Sequence, residues 1–186
     1  MRRYAVAIAA LLLSACGQSD TADAPQAACA RSATQEVAWT SPDTPDVITT
    51  TSQGPNCGQA IVTFVARNGA GDPLWVFAST YYDLTVGGVA PEGAPPVTGE
   101  QMDTFLASWA DVTVSRSGAL PEWRLDDAAP SGPTFAYSTP FERETYEMLR
   151  ARDLPMICYA AAVEATHCLV IDPASRAPTM IVAYGP

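Results

Sequence analysis

Two apolar runs, Ala60-Ile61-Val62-Thr63-Phe64-Val65-Ala66 and Leu74-Trp75-Val76-Phe77-Ala78, constrain the fold more than any other stretch of this chain. Both are rich in β-branched and aromatic side chains, which suit a pleated, half-buried surface. Asn68-Gly69-Ala70-Gly71-Asp72-Pro73 joins them. Its glycines accept positive φ, and its proline fits a turn or a strand start better than a strand interior. The pair therefore reads as a β-hairpin. Apolar residues fall on both alternating faces, so the hairpin is expected to be central or covered on both sides.

The rest of the chain can be placed around it. Upstream, residues 36–40 and 46–51 read as short strands separated by the Ser41-Pro42-Asp43 turn. Downstream, residues 85–98 form a Pro/Gly-rich loop, and Thr98-Gly99-Glu100-Gln101 has capping-box spacing. Met102, Phe105, Leu106, Trp109 and Val112 then recur at helical intervals, which predicts an amphipathic helix of about 13 residues. Residues 112–116 suggest a further strand. A second loop covers residues 126–138. After it, Thr139-Pro140-Phe141-Glu142 predicts a helix with Thr139 as N-cap, Pro140 at the first position and Glu142 closing the box. Phe141, Thr145, Met148 and Leu149 share a face of that helix, and Leu154-Pro155 marks its end. Residues 156–162, 166–172 and 179–184 read as a three-stranded meander.

The order hairpin, two helices, meander predicts a single α+β domain over residues 29–186. It would be an antiparallel sheet of about five strands with helices on one face. That order is similar to PAS-like and profilin-like domains in topology alone, and no function follows from it.

Besides Cys16 the chain holds Cys29, Cys57, Cys158 and Cys168. An even count in an exported protein reads as disulfides, with three possible connectivities. Sequence proximity favours Cys29–Cys57 and Cys158–Cys168. A hairpin centred near Val163 sets Cys158 opposite Cys168, within bridging reach if that pair is not hydrogen-bonded. Neither pair has Cys-x-x-Cys spacing, so a thioredoxin-like role is disfavoured.

Met1-Arg2-Arg3 is a short positive start, followed by an apolar run from Tyr4 to Leu13. The run is too short to span a bilayer, which takes about 20 residues, and it has the flanks of a secretory signal peptide. Its end, Leu13-Ser14-Ala15-Cys16, resembles the lipobox of bacterial lipoproteins. The resemblance implies removal of residues 1–15, a diacylglyceryl thioether on Cys16 and acylation of the new amino group. Each buried methylene adds about 0.8 kcal/mol, so two or three acyl chains hold nearly permanently. Gly17, in place of the aspartate associated with inner-membrane retention, implies the outer membrane, facing the periplasm. Residues 16–28 are small and polar, the composition of a flexible tether.

Without the leader, eight arginines stand against twenty carboxylates, a net charge of −12, and there is no lysine. Such a surface argues against nucleic acid and anionic lipid headgroups as partners; it would suit a cationic one, while a solubilising negative shell is the plainer reading of the same charge. No nucleophile elbow, phosphate loop, zinc-protease helix or dinucleotide fingerprint occurs, so no catalytic residue, cofactor or metal site is singled out. His167 is the only histidine. On a strand it points away from Cys168, which disfavours a Cys158/His167/Cys168 metal site. Asp126-Asp127 lacks the alternating oxygen ligands of a calcium loop. Glu142, Glu144 and Glu147 lie on or near one helix, and two of them sit in its first turns, where the helix dipole favours acids. The aromatics near the two loops, Tyr81, Tyr82, Trp123, Phe135 and Tyr137, either line a binding surface or fold back on the domain.

The expected function is a lipid-anchored envelope protein, a non-enzymatic binding module for a protein or small-molecule ligand. An inhibitor of a cationic hydrolase such as lysozyme is the first alternative, and an enzyme using carboxylates as acid and base the second. Mass spectrometry of the native protein is expected to find Cys16 as the acylated N-terminus. Cys16→Ser should move the protein from the membrane to the soluble fraction.

Overall fold

The computed structural model describes residues 28–185, so the expected leader, Cys16 and all of the tether except Ala28 lie outside the described residues. Four strands, β1 (Arg31–Val37), β2 (Asp46–Gln53), β3 (Ile61–Arg67) and β4 (Pro73–Thr80), pair antiparallel in chain order. Two helices follow, α1 (Tyr81–Thr85) and α2 (Gly99–Ala110). Then come β5 (Val114–Arg116), β6 (Ala136–Ser138), α3 (Arg143–Ala151) and the meander β7 (Pro155–Ala162), β8 (Ala165–Ile171) and β9 (Pro178–Gly185). These last five strands form a second antiparallel sheet in the order β5-β7-β8-β9-β6.

The domain is α+β with antiparallel sheets, but the hairpin and the meander enter different ones. The meander has two apolar faces. Ile157, Tyr159 and Leu169 share a core with Val62, Phe64, Met102, Leu106 and Trp109. Met156, Cys168, Val170 and Val182 share another with Leu120, Tyr146 and Leu149. A sheet apolar on both sides must be covered on both. The four-stranded sheet and α2 cover one face, and α3 covers the other. Of the two expectations for the hairpin, β3 is central, between β2 and β4, whereas coverage on both sides belongs to the meander. The hairpin's outer face stays open, with Ile61 50% and Val76 60% exposed, and β4 is an edge strand.

Local chemistry sets the helices. Thr98 accepts from the Gln101 N–H at 3.1 Å, and the Gln101 side chain accepts from the Thr98 N–H at 2.8 Å, the reciprocal cap its spacing predicts. Thr50 Oγ1 donates to Leu106 O at 2.8 Å and Trp109 Nε1 to Ala160 O at 2.9 Å, so α2 is fastened to both sheets. The helix expected from Thr139, α3, departs from expectation. It begins at Arg143, with Glu142 in the cap position and no side-chain cap. β6 pairs with β9 just upstream, so Thr139 is held at the sheet edge and donates to Ile181 O at 2.7 Å instead. Tyr146 and Leu149 are the buried pair on α3, and Met148 is 44% exposed.

Both cysteine pairs are bonded, Cys29 to Cys57 and Cys158 to Cys168. Cys158 and Cys168 are register partners on β7 and β8, their Cα atoms 4.1 Å apart. The first bridge ties the chain ahead of β1 to the turn before β3. The first strand itself lies earlier than residues 36–40, because its partner β2 runs on to Gln53 and draws Arg31 into register with Ser52.

Asp46 closes the β1–β2 connection. It is fully buried and accepts from the Trp39 N–H (3.1 Å), the Thr40 N–H (2.6 Å) and Thr40 Oγ1 (2.7 Å). Asp46→Ala leaves those donors without a buried acceptor. It is expected to cost on the order of 2–3 kcal/mol, read as a lower urea midpoint at unchanged m-value.

Candidate functional site

β4 runs directly into α1, and two clefts open beside this junction. Thr80 accepts from the Asp83 N–H at 3.1 Å and donates to Asp83 Oδ2 at 2.7 Å, which starts the helix. The Val163 N–H at the β7–β8 turn donates to Asp83 O at 3.2 Å and fastens α1 to the second sheet. Tyr81 and Tyr82 are consecutive on a helix, so they project about 100° apart. Each faces its own cleft.

The Tyr82 cleft, of about 450 Å³, is lined by Gln59, Thr80, Asp83, Val89 and Ala90. The Tyr81 cleft, of about 490 Å³, is lined by Glu100, Gln101, Thr104, Phe105 and Ser108. Both volumes fall in the range of small-ligand sites, roughly 300–1,000 Å³. The Val86, Gly87 and Gly88 N–H groups all converge on Tyr82 O, at 2.9, 3.0 and 3.3 Å. Gly87 and Gly88 reach this turn with φ of 78° and 149°, open to glycine and strained for other residues. The turn presents Val89, 91% exposed, on the rim.

Charge distinguishes this region. Residues 68–115 contain Asp72, Asp83, Glu92, Glu100, Asp103 and Asp111 and no basic residue. Arg31 of β1 reaches in, 3.3 Å from Asp103. Tyrosine rings beside uncompensated carboxylates are the chemistry that holds cations, through the ring face and through charge. The loop aromatics thus divide. Tyr81 and Tyr82 line clefts, while Trp123 packs on Tyr146 with Nε1 donating to Asp127 O at 2.8 Å. Phe135, Tyr137 and Tyr184 cluster over a smaller cleft of about 200 Å³ above the Cys158–Cys168 bridge.

Of the other residues singled out in the sequence, Trp123, Asp127 and Glu147 are joined by hydrogen bonds, and His167 lies apart from them. His167 lies beside Phe77 and Tyr159 on the face opposite Cys168. Tyr159 Oη accepts from Trp75 Nε1 at 3.0 Å and lies 3.5 Å from His167 Nδ1. Asp127 accepts from Ser131 Oγ at 2.6 Å, and Glu147 from the Trp123 N–H at 2.6 Å. Among the described residues no group of three or more His, Cys, Asp or Glu side chains is placed to hold a metal ion, and no helix is long and apolar enough to cross a membrane. Sequence reasoning offered the 85–98 loop as a candidate binding surface but missed Asp83, and did not narrow the loop to the 86–90 turn. The paired glycines Gly87-Gly88 after an aromatic pair were the available signal.

No family model, no curated protein and no solved structure matches this chain.

Burial holds the His167 imidazole below its usual value, so the fold favours the neutral ring. The stability this contributes is present above the unfolded value near pH 6.5 and is lost as pH falls from there through the lower folded value. Between pH 7.5 and 5 the melting temperature of His167→Gln is expected to fall less than that of the parent chain.

Proposed function

We propose that this chain is a lipid-anchored protein of the bacterial outer membrane, facing the periplasm, whose domain binds a cationic partner at the Tyr81–Tyr82 helix. The lipobox-like Leu13-Ser14-Ala15-Cys16 supports the anchor, and the polar residues after it supply reach. One observation carries the binding reading. Two clefts of ligand size share a single short helix, within a 48-residue stretch, 68–115, that holds six carboxylates and no base.

The domain acts here by recognition alone. A cationic group entering the Tyr82 cleft meets a ring face, worth about 0.5–1 kcal/mol at an exposed site. It also meets Asp83, whose Oδ2 is oriented by the Thr80 hydroxyl. A second reading, inhibition of a cationic hydrolase such as lysozyme, draws on the same charge. It differs in requiring that the bound enzyme lose activity.

The mature chain is expected to bind a short arginine-rich peptide, more weakly as salt is raised. Tyr82→Ala and Asp83→Asn should each weaken binding by about 3- to 10-fold in a calorimetric titration, with melting unchanged. A titration with no heat for the peptide, or both variants binding it as tightly as the parent chain, would overturn the reading. Lysozyme assayed with the same protein separates inhibition from binding alone.

A further inference from the structure

A sheet edge is a row of unpaired backbone donors and acceptors, and proteins guard such rows with brevity or charge. Three of the four edges here follow that pattern. β5 and β6 are three residues each, and β1 carries Arg31 and Glu36. β4 does not follow it. Its eight residues, Pro-Leu-Trp-Val-Phe-Ala-Ser-Thr, hold no charge, and nothing among the described residues pairs with its outer side.

The face beside that edge is apolar. Val65 pairs with Val76, Thr63 with Ala78 and Ile61 with Thr80, all directed away from the core. Val76 and Ile61 are among the exposed large hydrophobics of the domain. A strand added to β4 would set every second side chain beside this strip. The end of β4 then opens on the Tyr82 cleft, since Thr80, Tyr82 and Asp83 line it.

We propose that β4 is a docking edge for an extended segment of a partner protein, about 26 Å long at roughly 3.3 Å per residue. The segment carries apolar residues at alternate positions and a cationic group over Tyr82 and Asp83. In antiparallel addition that group lies at the segment's N-terminal end. Backbone hydrogen bonds supply affinity along the edge, while the strip and the cleft supply selectivity. This rests on the binding reading above and adds the class of partner.

A second copy of this chain fits less well. Antiparallel β4–β4 pairing would bring the other copy's 68–72 turn, with Asp72, to the Asp83 cleft. Carboxylate would then face carboxylate. Arg67, the nearby cation, is already engaged with Gly71 O at 3.1 Å.

The test titrates the mature chain with a synthetic peptide of eight residues, matching β4 in length, with an N-terminal arginine and alternating valine and threonine. Amide exchange is followed by mass spectrometry. Binding should slow exchange within residues 73–80 by about tenfold or more. N-methylation of alternate amides along one edge of the peptide should abolish binding. Val76→Lys, a surface change that guards the edge, should weaken it about tenfold at unchanged melting temperature. Exchange unaltered in β4 while arginine-dependent binding persists would overturn the edge and leave the cleft reading standing. Absence of any binding would overturn both. A concentration-dependent dimer dispersed by Val76→Lys would assign the edge to a second copy and overturn the proposal.

Discussion

The five-stranded sheet is apolar on both faces, and the rest of the domain follows from the need to cover it twice. Ile157, Tyr159 and Leu169 demand one cover, and Met156, Cys168 and Val170 another. The four-stranded sheet with α2 meets the first demand and α3 the second. Burying both faces removes far more apolar surface from water than a single sheet with helices on one side could. It also explains why β3 and β4 can leave Ile61 and Val76 in solvent. Their inner residues Val62, Phe64 and Phe77 suffice to join the core around Tyr159 and Trp109.

Three polar fastenings give that layered core a single geometry. Trp39 Nε1 donates to Pro155 O at 3.2 Å, Trp75 Nε1 to Tyr159 Oη at 3.0 Å and Trp109 Nε1 to Ala160 O at 2.9 Å. Trp75 and Trp109 reach β7 from the first sheet and its helix, and Trp39 reaches it from the β1–β2 connection. Apolar contact alone tolerates sliding, whereas these directional bonds do not. Among the described residues no buried side-chain nitrogen or oxygen lacks a partner. The clefts thus sit on a well-fastened base, and the 86–90 turn with its two glycines forms part of the wall of the Tyr82 cleft alone.

Much of this was legible residue by residue. The meander, its register at Cys158 and Cys168, the cap of α2 and the turn at 68–73 all depend on neighbours within a few positions or one hairpin. Such local chemistry shows in the sequence. The helix start at Thr139 was misread because β6 claims the preceding residues through pairing with β9, over 40 positions away. The candidate site was legible only as a list of aromatics. Where Tyr81 and Tyr82 face depends on where α1 lands, which is fastened by a hydrogen bond from the distant turn at Val163, and Trp123, Phe135 and Tyr137 depend on partners far along the chain.

By itself the sequence determined an acidic chain patterned for antiparallel strands and helices, favoured the two proximal cysteine pairs among three connectivities, and carried at Leu13-Ser14-Ala15-Cys16 a resemblance to the lipobox. These are matters of composition, period and spacing. Tertiary structure decided that hairpin and meander belong to separate sheets, that β4 is an open edge, and that Tyr81 and Tyr82 divide two clefts among carboxylates. Periodicity reports that a face is apolar. It does not report which other face will cover it, because that choice is made by burial summed over the whole chain.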